Sequence, residues 1–322
     1  MRKLILTTLV FFFSYTNLFA GEEENPIKIL FPKAEFLNDY TARIPFKIID
    51  QLIVVEAEFL NQKGNFIIDT GSETLILNKV HFPKGQRLTK KKTQTTSVTR
   101  IIDQPYERKL SEFILQNFNL KNKKSDVIDL SHIEKSKKMH LLGIIGYNIL
   151  KDYEVFIDLY LNQITLSRVD KHGNKFDTKV YAEEIVDSLD FQLVKHTIVV
   201  SGFVNDEKVR FALDTGAEFN QLNKNSNRKI LEKFRPMRKL SLVSADGKKI
   251  RVLAGKLYGF KLNETSGVGP MYTIVTNLRK MREAYGTSVD GVLGYEFLKY
   301  KRTIINYKKE KLYFIKSPIF KP

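Results

Sequence analysis

The feature that most constrains this chain is an internal repeat that contains the tripeptide Asp-Thr-Gly twice. The two tripeptides occupy residues 69–71 and 214–216, and each follows an apolar run. At this offset of 145 residues (214 − 69), residues 44–79 align with residues 189–224 without a gap. Each repeat is long enough to form a core of its own, which favours two related lobes over a solenoid of short units.

A second match lies downstream in each repeat. Residues 143–150 and 291–298 share the pattern Gly-x-x-Gly-Tyr-x-x-Leu, now at an offset of 148. Three residues have therefore entered the second repeat between the two matches. We expect a signal peptide at 1–20, an N-terminal extension at 21–41, a first lobe at 42–168, a linker at 169–188 and a second lobe at 189–318.

The composition is that of a folded, exported protein. Of the 322 residues, 43% are hydrophobic, which is typical of a globular chain. The start has the charged, apolar and small-residue regions of a secretory signal peptide, and we expect cleavage after Ala20 into a bacterial periplasm or the medium. Its apolar stretch is shorter than the roughly 20 residues that span a bilayer, so we expect no stable membrane span after cleavage.

Charge and cysteine content limit the possible partners and chemistry. The chain has no cysteine, which excludes disulfides, thiol catalysis and zinc–thiolate sites. Its formal charge of +17 comes from lysines and arginines scattered in short groups, which indicates solvated loops and no nucleic-acid partner. Attraction to anionic envelope polymers or acidic substrates stays open.

Local patterns predict short strands and little helix. Residues 53–60 and 198–204 are β-branched and apolar, and each is followed by a polar turn and a second apolar run that ends at the aspartate. Each pair is expected to be a hairpin that delivers an acid to a turn. Further strands are predicted at 156–158, 163–166, 303–306 and 311–315, and helical turns at 146–151 and 294–299.

Two carboxylates in matching turns predict one shared site. If Asp69 and Asp214 lie within hydrogen-bonding distance, they cannot both ionise easily and must share a proton. The ionised member can then deprotonate a water while the protonated member donates to a carbonyl oxygen. Each glycine permits a tight turn with nearby amide donors, and each threonine hydroxyl is able to bond across the interface. The supporting residues are Thr70, Gly71, Ser72, Thr215, Gly216 and Ala217.

At these residues the chain resembles the bacterial retropepsin-like aspartic peptidases with two lobes fused in one chain. In that family the Asp-Thr-Gly-Ser/Ala motif is paired with a downstream hydrophobic-hydrophobic-Gly. Here the downstream partners are residues 144–146 and 292–294. The resemblance implies an all-β fold of two homologous β-barrel lobes with the active site between them. It also implies that Asp69 and Asp214 are the catalytic dyad, and that Thr70 and Thr215 bond across the lobes.

The same family covers its cleft with β-hairpin flaps. Residues 242–252 resemble one, because Asp-Gly suits a tight turn between apolar strands, and the flap candidates are Ala245, Asp246 and Gly247. The matching region of the first lobe, 95–110, has no glycine at its tip, so that flap is expected to be wider or absent. An ordinary surface hairpin is the alternative for both.

The halves of the expected site differ in sequence. Ser72 is matched by Ala217, so only Asp69 is expected to receive a hydroxyl bond from that position, which would make Asp69 the more acidic partner. Retroviral members also have an arginine after the downstream glycine, where this chain has Tyr147 and Tyr295. The ion-pair network that supports their dimer is therefore not reproduced.

Other chemistries lack support in the sequence. The histidines form no recognised metal spacing, and no nucleophile elbow or phosphate-binding glycine loop occurs, so we expect no metal and no cofactor. Two functions stay open. The first is an exported aspartic endopeptidase that acts on a peptide or protein substrate, for which a monomer suffices. The second is a non-catalytic peptide-binding or scaffolding protein on the same fold.

Overall fold

The computed structural model describes residues 29–82, 89–90, 95–96, 101–102, 106–116, 118–179, 183–243, 249–263, 266–279, 281, 285 and 287–317. The first half contains helices α1 (Ser131–Lys137) and α2 (Tyr147–Leu150) and strands β1 (Glu35–Asn38), β2 (Thr41–Pro45), β3 (Lys47–Ile49), β4 (Leu52–Phe59), β5 (Gln62–Ile68), β6 (Leu75–Asn78), β7 (Thr89–Lys90), β8 (Thr95–Thr96), β9 (Ile101–Ile102), β10 (Tyr106–Leu115), β11 (Phe118–Ile128), β12 (Leu141–Ile145), β13 (Tyr153–Asp158) and β14 (Gln163–Arg168).

The second half repeats this pattern. It contains helices α3 (Arg228–Leu231) and α4 (Tyr295–Leu298) and strands β15 (Ile185–Val194), β16 (Thr197–Val204), β17 (Glu207–Leu213), β18 (Asn220–Asn223), β19 (Phe234–Val243), β20 (Lys249–Leu257), β21 (Phe260–Lys261), β22 (Gly267–Val268), β23 (Met271–Thr276), β24 (Gly291–Leu293), β25 (Arg302–Asn306) and β26 (Lys311–Ile315). The predicted all-β fold with two related lobes is confirmed.

Strand pairing shows the repeat most directly. In the first half β5 pairs in parallel with β12, β12 pairs antiparallel with β6, and β6 pairs in parallel with β11. In the second half β17, β24, β18 and β23 make the same three pairings in the same order. The two halves therefore share topology as well as sequence.

The hairpins that lead to the two aspartates form as predicted. Strands β4 and β5 are joined by Leu60 and Asn61, and β16 and β17 by Asn205 and Asp206. All four joining residues have positive φ angles, between 53° and 63°. Two consecutive positive φ values are the mark of a type I′ turn, whose twist matches the flanking strands.

A central sheet joins the halves. Its strands run β2, β14, β13, β25, β26 and β15, so β13 of the first half pairs antiparallel with β25 of the second. Hydrophobic residues from both halves fill one continuous core cluster that includes Phe66, Val155, Phe211 and Ile305. The aspartate-bearing loops lie at the ends of strands packed on this core.

Some expectations meet the structure differently. Strand β15 begins at Ile185, inside the predicted linker, and an isolated bridge joins Val169 to Lys175. The sequence analysis did not predict helix α1, which the structure shows at Ser131–Lys137. The flap candidates Ala245, Asp246 and Gly247 lie outside the described residues, although β19 and β20 pair on either side of them. In the first-half flap region, residues 97–100 and 103–105 lie outside the described residues, and β8 pairs with β9 on either side of 97–100. No described helix has the length and hydrophobicity of a membrane-spanning segment.

Candidate active site

The two Asp-Thr-Gly loops start at equivalent points in the two halves. Asp69 directly follows β5 and Asp214 directly follows β17. The backbone amide of Asp69 donates to the carbonyl of Ile145 at 3.0 Å, and the amide of Asp214 donates to the carbonyl of Leu293 at 2.9 Å. The parallel pairing of β5 with β12, and of β17 with β24, thus continues one residue further. This pairing fixes the backbone position of each aspartate.

The loops meet face to face, with the glycine of each against the acid of the other. A Cβ atom placed on Gly71 would lie 2.6 Å from Cγ of Asp214, and one on Gly216 would lie 2.6 Å from Cγ of Asp69. Neither position has room for a side chain, because the opposing carboxyl occupies that space. The structure therefore brings Asp69 and Asp214 together at the centre of the molecule.

Backbone amides hold both carboxyls in place. Oδ1 of Asp69 accepts hydrogen bonds from the amides of Gly71 at 2.8 Å and Ser72 at 3.1 Å. Oδ1 of Asp214 accepts one from the amide of Gly216 at 2.8 Å. Both carboxyls are fully buried, so these donors replace the water that would otherwise solvate them.

Thr70 and Thr215 form a reciprocal network between the loops. The amide of Thr70 donates to Oγ1 of Thr215 at 3.0 Å, and the amide of Thr215 donates to Oγ1 of Thr70 at 3.1 Å. Each hydroxyl in turn donates to a carbonyl of the other half, to Leu213 at 3.2 Å and to Ile68 at 2.8 Å. These four bonds connect the loops as the resemblance implied.

The downstream hydrophobic-hydrophobic-Gly segments explain how the loops keep their shape. A Cβ atom on Gly146 would lie 2.6 Å from the carbonyl oxygen of Ser72, and one on Gly294 would lie 2.2 Å from that of Ala217. The amide of Tyr147 donates to the same Ser72 carbonyl at 2.8 Å. Each glycine therefore allows a short helix to begin directly on an acid-bearing loop.

Burial and proximity shift both carboxyls in the same direction. Burial raises the pKa of Asp69 well above its ordinary value, and the nearby charge of Asp214 and a hydrogen bond with it raise the pKa further. Burial also raises the pKa of Asp214, but hydrogen bonds from Asp69, Gly216 and Tyr285 oppose that rise. The two carboxyls therefore share a proton, and their titration belongs to the pair.

The hydrogen bond on which the expected acidity order of the two aspartates depended is not present in the structure. The prediction assumed that the hydroxyl of Ser72 bonds to Asp69. In the structure this hydroxyl donates to the carbonyl of Thr74 at 3.2 Å, and only the Ser72 amide reaches Asp69. The asymmetry between Ser72 and Ala217 thus adds no side-chain donor at the dyad.

Tyr285 is a site residue that the sequence did not reveal. Its hydroxyl donates to Oδ2 of Asp214 at 3.4 Å, and its side chain is fully buried in the second half. The signal was present in the repeat: at the offset of 148, Tyr285 aligns with Lys137, four residues after the aligned pair Ile133 and Met281. Because the two residue types differ, the alignment alone did not mark either of them.

Lys137 makes a buried ion pair between the two halves. Its Nζ lies 2.5 Å from Oε1 of Glu218 and 3.4 Å from Oδ2 of Asp50. Glu218 directly follows the second loop, and its side chain is only 4% exposed. A buried charge needs such a partner, so the end of α1 is tied to the neighbourhood of Asp214.

His196 lies beside the first loop. It occupies the turn between β15 and β16, is 3% exposed, and faces the backbone of Gly71 and the carboxylate of Glu73. Burial lowers the pKa of this imidazole, while Glu73 and Gly71 oppose the shift. A hairpin turn of the second half therefore packs against the acid-bearing loop of the first.

Solvent does not reach the dyad in this conformation. Asp69 is 0% exposed and Asp214 is 1% exposed. A cavity of about 460 Å³ lies instead on the central sheet, where its lining includes Arg43, Phe156 and Tyr313 and none of the site residues. The dyad and this cavity are therefore separate features of the molecule.

Comparisons with known proteins give similarity in chain path only. No protein-family model matches the chain, and no curated protein matches it. Among solved structures, the aspartic proteinase from Irpex lacteus is similar, with a TM-score of 0.48 and 11% identity over 85% of this chain and 97% of that one. Basic 7S globulin from soybean has a TM-score of 0.49 and 8% identity over 86% of this chain and 94% of that one.

Proposed function

We propose that the chain is an exported aspartic endopeptidase of the bacterial retropepsin-like type, which hydrolyses peptide bonds with Asp69 and Asp214 and uses no cofactor. The proposal depends on one observation, the meeting of two buried carboxyls whose loops are cross-bonded through Thr70 and Thr215. A shared proton between two such acids supplies a base and an acid at one point.

In the proposed reaction Asp214 is the base and Asp69 is the acid. The Asp214 carboxylate takes a proton from a water molecule while the water oxygen bonds to the scissile carbonyl carbon. At the same time Asp69 gives its proton to the carbonyl oxygen. The resulting gem-diol collapses as the carbon–nitrogen bond breaks. The leaving nitrogen takes the proton from Asp214, and Asp69 recovers one from a diol hydroxyl, so the starting protonation state returns.

Positioning explains the supporting residues. The amides of Gly71, Ser72 and Gly216 donate to Oδ1 of the two carboxyls, here called the inner oxygens. The outer oxygens, Oδ2, are therefore the ones proposed to take part in the reaction. We propose that the substrate is an extended peptide held by strand-like main-chain bonds beneath the hairpin of β19 and β20. Because both carboxyls are buried in this conformation, the groups around them must move before a peptide can bind.

A non-catalytic peptide-binding protein is the second candidate. The observations in its favour are the closed dyad and the hydroxyl of Tyr285, which occupies the outer oxygen Oδ2 of Asp214. In the peptidase this bond lowers the pKa of the base. In a binding protein it would instead fill the place of the attacking water.

Peptide hydrolysis by the purified protein distinguishes the two candidates. A mixed peptide library is incubated from about pH 3 to 7 with the wild type, Asp69→Asn, Asp214→Asn and the double variant. Asp190→Asn, at an exposed pair with Lys311, is the matched control. Each dyad variant should lose at least about a thousandfold in kcat/KM, and the double variant should lose no more than either single one. Equal hydrolysis by the dyad variants would refute the proposal, and no hydrolysis by any protein would favour peptide binding.

Export and oligomeric state belong to the same proposal. N-terminal sequencing of protein recovered from the cell envelope or medium should begin at Gly21, as expected for cleavage after Ala20. Sedimentation should give a monomer, because one chain supplies both acids.

A further inference from the structure

A second cluster of functional groups lies in the first half. It consists of His81, Glu134 and His140, and each residue comes from a different part of the fold. His81 follows β6, Glu134 lies in α1, and His140 lies between α1 and β12. Each offers one nitrogen or carboxylate oxygen, and these three atoms all lie within 4.8 Å of one another.

We infer that His81, Glu134 and His140 bind a divalent transition metal ion, with zinc as the representative ion. Two imidazoles and one carboxylate are a set that zinc accepts, with a water or another small ligand completing a tetrahedron. Ligand atoms in such a site are about 3.4 Å apart, given metal–ligand distances of roughly 2.1 Å. The present spacing therefore requires only small side-chain rotations.

The carboxylate is already oriented towards the two rings. Nε2 of His81 lies 2.9 Å from both oxygens of Glu134. This nitrogen and the carboxylate therefore already face each other, as two ligands of one ion would. The rings of His81 and His140 are 4.2 Å apart and steeply inclined. An ion pair between His81 and Glu134 alone would not require a second imidazole at this distance.

Neighbouring groups hold the ligands from outside. The amide of Leu141 donates to Oε1 of Glu134 at 3.2 Å, and Nδ2 of Asn78 donates to Oε2 at 3.1 Å. Asn65 donates to the carbonyl of His140 at 2.7 Å, which fixes the backbone of that ligand. Such supporting bonds orient metal ligands, and each carboxylate oxygen retains a lone pair for an ion.

The repeat indicates that the cluster is not needed for folding. Asn78 has the counterpart Asn223, but the positions of the three ligands are occupied in the second half by Ser226, Arg282 and Ser288. The same topology therefore forms without these side chains. His81 lies 53 residues before Glu134 in the sequence, which explains why histidine spacing predicted no metal.

The site is accessible to an ion in solution. The side chains of His81 and Glu134 are each 19% exposed, so neither is sealed in the core. Glu134 also lies one helical turn before Lys137, whose ammonium pairs with Glu218 beside the second acid-bearing loop. Bound metal would therefore brace the helix whose Lys137 pairs with the second half.

Zinc titration of the full chain tests the inference. Untagged, chelator-treated protein is titrated with zinc chloride by calorimetry, and thermal unfolding is followed with and without zinc. The wild type should bind one zinc ion and unfold at a higher temperature when it is bound. His81→Gln, Glu134→Gln and His140→Gln should each weaken binding at least about tenfold. His132→Gln, on the exposed face of the same helix, is the matched control and should bind as the wild type does.

The outcomes separate this site from the dyad. Asp69→Asn should bind zinc normally, so a failure of the peptidase proposal would leave the metal result unaffected. No stoichiometric zinc binding by the wild type, or unchanged binding by all three ligand variants, would overturn the inference. If the ligand variants do not fold, the visible spectrum of the wild type with cobalt(II) decides: four-coordinate bands support the site, and the spectrum of the aquated ion refutes it.

Discussion

The hydroxyl of Tyr285 donates to Oδ2 of Asp214 at 3.4 Å, whereas Lys137, at the same position of the first repeat, pairs with Glu218. The two acids therefore receive different support despite their matching loops. This bond opposes the rise in the pKa of Asp214 that burial causes, and so favours Asp214 as the ionised partner. The dyad is asymmetric because of residues outside the Asp-Thr-Gly motifs.

Replacing Tyr285 by phenylalanine should move the acidic limb of the activity profile. Without the hydroxyl donor the pKa of Asp214 rises, so the base ionises only at higher pH and activity below the optimum falls. The measurement is kcat/KM against pH for Tyr285→Phe. Tyr307→Phe is the control, because Tyr307 is also buried but its hydroxyl has no hydrogen-bond partner in the described part of the chain. An unchanged acidic limb in Tyr285→Phe would show that the bond does not tune Asp214.

Neutralising Asp69 should stabilise the fold at neutral pH. Its pKa is raised in the folded protein, so the folded state binds the proton more tightly than the unfolded chain, whose value is about 3.9. The contribution of Asp69 to stability is therefore fully present below its unfolded pKa and is lost as pH rises through its folded pKa. Asp69→Asn should raise the unfolding midpoint by a few degrees at pH 7, and its advantage should shrink towards pH 3. Circular dichroism during heating measures this, and Asp190→Asn should change the midpoint by no more than about 2 °C.

A methyl group at Gly71 should destabilise the protein, whereas one at Gly267 should not. In Gly71→Ala the new Cβ would meet Cγ of Asp214 at 2.6 Å, and the carboxyl cannot withdraw because the Gly216 amide holds it. We expect this overpacking to lower the free energy of unfolding by about 1–3 kcal/mol and to abolish peptide hydrolysis. Gly267→Ala is the control, since nothing lies within 4 Å of its added Cβ. Chemical denaturation of both variants compares them, and equal stability would contradict the close approach.

Removing one threonine hydroxyl should weaken the junction between the loops. Thr70→Val removes the acceptor of the Thr215 amide and one donor to the carbonyl of Leu213, at a cost of about 1–3 kcal/mol for the buried amide left unsatisfied. The double variant with Thr215→Val should cost less than the sum, because the first change already opens the junction to water. Thr303→Val, which loses only a bond to the carbonyl of Lys301, is the buried control. Urea denaturation gives the free energies, and strict additivity would indicate that the two hydroxyls act independently.

The fold and the centre of the site follow from local patterns that the repeat makes visible. The alternation in β4 and β16, the type I′ turns after them and the glycines beside each loop are all consequences of short-range chemistry. Asp69 and Asp214 are predictable as partners because one motif appears twice with its downstream glycine. A single aspartate loop would not have indicated where its partner lies.

The remaining site residues depend on tertiary placement. Tyr285, Lys137 and His196 reach the loops only because α1, its counterpart region and the β15–β16 turn pack against them. Their residue types differ from those at the matching repeat positions, so no pattern marks them. The hydroxyl bond expected between Ser72 and Asp69 is absent for a similar reason, since the Ser72 hydroxyl donates to the carbonyl of Thr74.

The pairing of Lys137 with Glu218 has an implication for how this chain is built. A protein assembled from two first halves would bring a lysine to both loops, and one assembled from two second halves would bring a tyrosine to both acids. Neither of these symmetric proteins would contain the present combination of one ammonium and one phenol. The duplicated halves are therefore no longer interchangeable, because only the fused chain supplies one ammonium and one phenol to the surroundings of the dyad.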